Sequence, residues 1–291
     1  MKIMNILLRI SSFLLLWGLF SNCDPATQKD QKQTQTTAQA YVYDLTAPAQ
    51  KYEMPRVLEE ISGISYAREN QLLCVQDEIG EVFLYDLAQQ KITDQHQFGK
   101  PDDYEDVVQL KDEIYVLRSD GKIFNFKWGA DQNREIETDL PGKNDVEGLA
   151  YNPETNRLLL AVKEASKKAT SSDEKLIYSF DLARRAVYRE FTLTKTQFEN
   201  VELKDKQWKD FKPSGVAIHP KTGQLYLLSS AGHRLVILSR DGSPLKNIEL
   251  DSDLFRQPEG ICFAPDGTLY IASEGDGKKG YILKFSPSSP L

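Results

Sequence analysis

The chain has 291 residues, with 36 Lys and Arg against 43 Asp and Glu and a formal net charge of −7. That length holds two ordinary domains or one large all-β domain, and 13 Tyr with 13 Phe suit a sheet-rich protein. An acidic chain argues against a nucleic-acid partner, which needs a basic face. Three cysteines with no CxxC pair exclude a zinc knuckle or a dithiol redox motif.

Residues 1–22 read as an export signal. Lys2 and Arg9 form a basic n-region, and the apolar run from Ile10 to Phe20 has the length of a signal core but is short for a membrane span. It ends in Leu19-Phe20-Ser21-Asn22-Cys23. This resembles a bacterial lipobox, with Phe20 and Asn22 where the pattern prefers Leu and Gly or Ala. Cleavage there makes Cys23 the lipidated residue, anchoring the exported protein to a membrane of the cell envelope. Loss of Lys2 and Arg9 takes the net charge to −9. Residues 24–40 contain no aromatic residue and no Leu, Ile or Val, so they bury too little apolar area to offset ordering entropy. They read as a disordered tether spanning roughly 20–25 Å.

From Tyr41 to Leu291 the pattern is one of short strands. An opening turn followed by an apolar strand occurs five times: Glu60-Ile61-Ser62-Gly63-Ile64, Asp103-Tyr104-Glu105-Asp106-Val107, Asp145-Val146-Glu147-Gly148-Leu149, Lys212-Pro213-Ser214-Gly215-Val216 and Gln257-Pro258-Glu259-Gly260-Ile261. Each turn starts a module of strands joined by hairpin signals such as Ser119-Asp120-Gly121 and Pro265-Asp266-Gly267. Counted on Ser62, Glu105, Glu147, Ser214 and Glu259, the steps are 43, 42, 67 and 45 residues. Four-stranded repeats of about 40–45 residues are propeller blades. The long step holds two polar insertions, Lys163 to Glu174 and Lys195 to Lys212, the second with Phe198 and Trp208 as packing points and room for a short helix. Too few residues follow Glu259 for four strands. Tyr41–Leu45 or Lys51–Met54 therefore supplies the missing outer strand, closing the ring and covering its open edge. The fold class is all-β, a five-bladed β-propeller. A six-bladed alternative needs residues 148–214 to form two modules, and they lack a second glycine-bearing opening turn. Cys74 and Cys262 sit inside apolar strand runs and read as buried free thiols.

Strands alternate in direction within a blade, so the opening turns share one rim near the central channel. They place Glu60, Asp103, Glu105, Asp106, Asp145, Glu147 and Glu259 there, and the hairpins on the same face add Asp77, Glu78, Asp120, Glu164, Glu274 and Asp276 farther out. Converging carboxylates stay ionised together only if a cation or bound water compensates them. Hard oxygen donors in an irregular set select calcium. The competing reading is that these side chains bond neighbouring backbone and hold the blades together, which suits Ser62 and Ser214. Glu105, Glu147 and Glu259 are assigned to the metal. Asp106 joins them because it stands where the other four copies have glycine. Nucleophilic catalysis has little support: no Gly-x-Ser-x-Gly, HExxH or phosphate-cradling loop occurs. His219 lies in a turn at the opposite end of the strands, His96 in an outer strand and His233 in a peripheral hairpin.

The five opening turns, together with Asp77-Glu78 after a strand and Lys212-Pro213-Ser214-Gly215-Val216-Ala217-Ile218-His219-Pro220, resemble the SdiA-regulated family of bacterial exported proteins. The likeness spans roughly residues 54–286. It implies a five-bladed propeller with a calcium site and implies no established activity. The expected protein is thus a calcium-binding lipoprotein of the envelope that binds or scaffolds a small-molecule, glycan or protein ligand. A calcium-dependent hydrolase of lactonase or phosphoesterase type, and a metal-free structural propeller, are the alternatives.

Overall fold

A computed structural model describes residues 43–166, 171 and 174–287. The export signal, Cys23 and the tether lie outside the described residues. Five four-stranded antiparallel sheets account for all twenty strands described. The first blade runs β2 (Ile61–Arg68), β3 (Gln71–Gln76), β4 (Glu81–Asp86) and β5 (Lys91–Gln97). The second runs β6 (Tyr104–Leu110), β7 (Glu113–Arg118), β8 (Ile123–Lys127) and β9 (Arg134–Ile136). The third runs β10 (Asp145–Asn152), β11 (Arg157–Glu164), β12 (Glu174–Asp181) and β13 (Ala186–Thr194). The fourth runs β14 (Gly215–Ile218), β15 (Leu225–Ser229), β16 (Arg234–Leu238) and β17 (Pro244–Glu249). The fifth joins β18 (Gln257–Phe263), β19 (Leu269–Glu274) and β20 (Tyr281–Phe285) to β1 (Gln50–Glu53).

First strands of successive blades touch all the way round: β2 meets β6, β6 meets β10, β10 meets β14, β14 meets β18, and β18 returns to β2. They form the innermost ring. Second and third strands are packed between neighbouring blades on both faces, so they read as continuous buried runs; every residue of β15 and β16 is buried. Outer strands face water, and β5 is mostly exposed and polar, which blunts an edge that could otherwise pair with another chain.

Closure comes from Gln50–Glu53, paired in register with Lys284 to Tyr281. The alternative closing segment takes another role. Tyr43 packs against His219, Tyr226 and Phe263, and its hydroxyl donates to the Gly267 carbonyl (2.6 Å). The long third step contains the expected helical insertion, a 3-10 helix (Lys195–Val201) and α1 (Asp205–Asp210). Phe198, Trp208 and Phe211 bury this insertion as one aromatic cluster. Cys74 and Cys262 are buried free thiols, and burial holds both thiols well above their usual pKa.

Candidate metal centre at the channel mouth

Each opening turn enters its inner strand through an irregularity at one position. Register slips between Ile61 and Gly63, between Tyr104 and Asp106, between Val146 and Gly148, and between Pro258 and Ile261. In the fourth blade the Ser214 N–H donates to Leu228 (2.8 Å), the residue that also pairs with Gly215. A bulge adds an unpaired residue and re-aims its side chain. The bulged residues are Ser62, Glu105, Glu147, Ser214 and Glu259.

The two serines bind the ring together. Ser62 Oγ donates to the Tyr104 carbonyl of the next blade, and Ser214 Oγ to the Pro258 carbonyl of the next, both at 2.9 Å. The following glycines let backbones close up. A Cβ on Gly63 would stand 2.5 Å from Asp106 Cα, a distance only a glycine permits. In the second blade Asp106 takes the glycine's place. Its Oδ2 accepts the Leu149 N–H of the third blade (2.7 Å) and its Oδ1 accepts the Val107 N–H (2.8 Å). Asp106 is fully buried, and burial pushes its carboxyl well up while the two N–H donors oppose that. The structure therefore places Asp106 in a clamp between blades and does not bring it into the carboxylate group at the mouth.

The three bulged glutamates point to the channel instead. Glu105, Asp145 and Glu147 bring carboxylate oxygens within 4.8 Å of one another. Glu147 is only 6% exposed, and its Oε2 is buried with no hydrogen-bond partner. Burial first, then Glu147, Asp103 and Asp145, push the Glu105 carboxyl up to about 9. Burial likewise raises Glu147 to about 7, although Lys163 works against the rise. Asp145 is raised chiefly by burial. Across the channel Glu259 faces Glu274; burial first, then Glu274, Glu147 and Glu105, hold its carboxyl well up. Gln257 Nε2 donates to Glu274 Oε2 (2.6 Å).

The remaining acids lie at the rim. Asp103 and Glu60 are exposed, and Asp103 acts on the group through its charge. Glu60 faces Glu78 and Glu274 and is raised, mainly by desolvation. Asp77, half-buried with an unpartnered Oδ1, is pushed up to about 7 by burial and by Glu60, Glu274 and Glu78. Asp120 is turned aside by Arg118 (2.6 Å), and Glu164 pairs with Lys212.

Lys163, which the sequence marks only as the start of an insertion, is the residue missing from that reading. It ends the apolar run of β11, and its Nζ pairs with Glu147 Oε1. The available signal was its place across from the third opening turn, where Val162 pairs with Val146 and Glu164 with Asp145. At the other end of the channel Ile64, Val107, Leu149, Val216, Ile261 and their neighbours line an open pocket of about 290 Å³. The histidines are engaged elsewhere: His96 stacks on Phe126 (4.9 Å), His233 Nε2 meets the Arg256 carbonyl (3.0 Å), and His219 bonds Tyr43.

A family model described as SdiA-regulated matches residues 34–276. No curated protein matches the sequence. Among solved structures, glutaminyl cyclase of Myxococcus xanthus is similar at 11% identity, covering 82% of this chain and 95% of that one with a TM-score of 0.56. A luciferin-regenerating enzyme is similar at 14% identity, covering 84% and 96% with a TM-score of 0.52. The PQQ-bound aldose sugar dehydrogenase of Streptomyces coelicolor is similar at 9% identity, covering 83% and 98% with a TM-score of 0.51. At such identities the likeness is one of fold.

Proposed function

The chain belongs to the SdiA-regulated family, and from that premise we propose that it is a calcium-binding module of the bacterial cell envelope, tethered through a lipid on Cys23. In this reading the propeller presents the mouth to a small-molecule, glycan or protein ligand. One observation carries the metal: three carboxylates from two adjacent blades meet within 4.8 Å, and a buried oxygen of Glu147 has no protein partner. The donors are all hard oxygens, the set that suits calcium. Lys163 supplies one positive charge against Glu105, Asp145 and Glu147, with Glu259 close behind. A divalent cation held by Glu105, Asp145 and Glu147 would bring more positive charge than the single ammonium and give Glu147 Oε2 a partner.

Calorimetric titration of calcium into chelator-treated protein tests this. Heat of binding is expected from the wild type and its loss from Glu147→Gln; no calcium-dependent heat in the wild type overturns the metal. A calcium-dependent hydrolase is the second reading, supported by the Glu259–Glu274 carboxyl pair beside the cluster, in which burial and Glu274 hold the Glu259 carboxyl well up. Such a pair holds a proton that a general acid could deliver. Calcium-dependent turnover of a lactone or phosphodiester panel, lost in Glu259→Gln, would favour that reading over a binding module.

A further inference from the structure

We propose that Lys163 is a built-in competitor for the cation site, so that a divalent ion binds only when the Lys163 ammonium leaves Glu147. The inference rests on the calcium reading of the mouth and concerns its regulation.

Lys163 Nζ is paired with Glu147 Oε1, one of the three carboxylates that come together. Asp145 and Glu259 also favour its charged form, against the burial that opposes it. The ammonium thus stands where the negative potential of two blades converges. It satisfies only one oxygen of Glu147, and the other has no partner. A doubly charged ion ligated by Glu147 would lie within a few ångströms of that ammonium, and like charges at such a distance repel strongly in a partly desolvated site. The two occupants are therefore mutually exclusive.

Lys163 can leave. Its charge sits on a flexible four-carbon stem, its side chain is 33% exposed, and it lies near the end of β11 where an insertion begins. The apparent affinity for a cation is then the intrinsic affinity scaled by the fraction of molecules in which Lys163 has moved away. Selectivity follows from the same exchange. A monovalent ion brings no more charge than the ammonium it replaces, whereas a divalent ion brings twice as much. Lys163 so raises the threshold for occupancy and couples it to release of a charged side chain at the mouth.

Calcium titration into chelator-treated wild type, Lys163→Met and Lys163→Arg tests the competition. Lys163→Met is expected to bind calcium about ten-fold tighter or more, and Lys163→Arg no tighter than the wild type. Wild-type binding with an equal or weaker affinity in Lys163→Met overturns the competitor and leaves the calcium reading standing. No binding in either protein overturns both. A readout that needs no variant is acylation of Lys163 by an amine-reactive reagent, followed by peptide mass spectrometry. Labelling is expected to rise when calcium is added to the wild type; unchanged labelling at saturating calcium overturns the proposal even if the variants fail to fold.

Discussion

At the two ends of the central channel a buried histidine and a group of crowded carboxylates are held differently. At the end away from the mouth, His219 is wholly buried, yet both ring nitrogens are engaged. Nδ1 accepts the Lys221 and Thr222 N–H groups (both 3.2 Å), so the proton belongs on Nε2, which faces the Tyr43 hydroxyl at 3.0 Å. That network secures the chain just before the closing strand. At the mouth, the same fold leaves oxygens of Glu147 and Asp77 buried without partners and crowds carboxyls that burial and mutual repulsion hold up. Buried polar groups are satisfied as a rule because leaving one unmade costs about 1–3 kcal/mol. Under the proposed function a cation offsets that cost at the mouth.

The contrast also runs within the ring of bulges. Ser62 and Ser214 hold blades together, while Glu105, Glu147 and Glu259, on an equivalent backbone position, crowd carboxyls that act on one another. The largest effect should separate these two jobs. Glu105→Gln is expected to weaken calcium binding by about a hundred-fold or more, because calcium affinity follows ligand charge, while the melting temperature without calcium does not fall. Calorimetry and a thermal melt read the two quantities; unchanged affinity would merge glutamates and serines into one structural class.

Next comes the close approach behind them. Gly63→Ala places a methyl group 2.5 Å from Asp106 Cα and should cost about 1–3 kcal/mol or more in denaturant unfolding, the range for overpacking. Asp106→Ala leaves the buried Leu149 N–H without its acceptor and should cost about 1–3 kcal/mol, with calcium affinity kept. A loss of calcium binding there, with stability intact, would return Asp106 to the ligand set.

The buried histidine makes a prediction about pH. Burial, with help from Lys221, lowers His219 to about 4 from an ordinary value of 6.5. The unfolded chain therefore takes up the proton first as pH falls. The stability this group contributes is complete above 6.5 and is lost progressively toward about 4. Urea unfolding at several pH values between 4 and 7 should show that decline in the wild type and a flatter profile in His219→Asn; parallel profiles would contradict the assignment. The smallest expected effect is Ser62→Ala, which removes one cross-blade hydrogen bond worth about 1 kcal/mol and should leave calcium affinity unchanged.

Much of this was legible in the residues because the opening turn recurs. The spacing of Ser62, Glu105, Glu147, Ser214 and Glu259 carries the blade count, and alternation of strand direction puts their turns on one rim. Side-chain direction was not legible. Asp106 and Glu105 are neighbours in sequence, but the bulge sends one carboxylate into the backbone of the next blade and the other into the channel. Nor does local pattern single out Lys163, since its meeting with Glu147 depends on the register between β10 and β11 across that bulge. The closing strand was narrowed to two segments, and pairing with β20 selects Gln50–Glu53.

The central claim is a cation among Glu105, Asp145 and Glu147. Anomalous diffraction from a crystal grown with calcium tests it most directly. The account predicts an ion peak at about 2.3–2.6 Å from oxygens of these carboxylates, with the Lys163 ammonium withdrawn from Glu147. No peak at saturating calcium, with Lys163 still paired to Glu147, would contradict it.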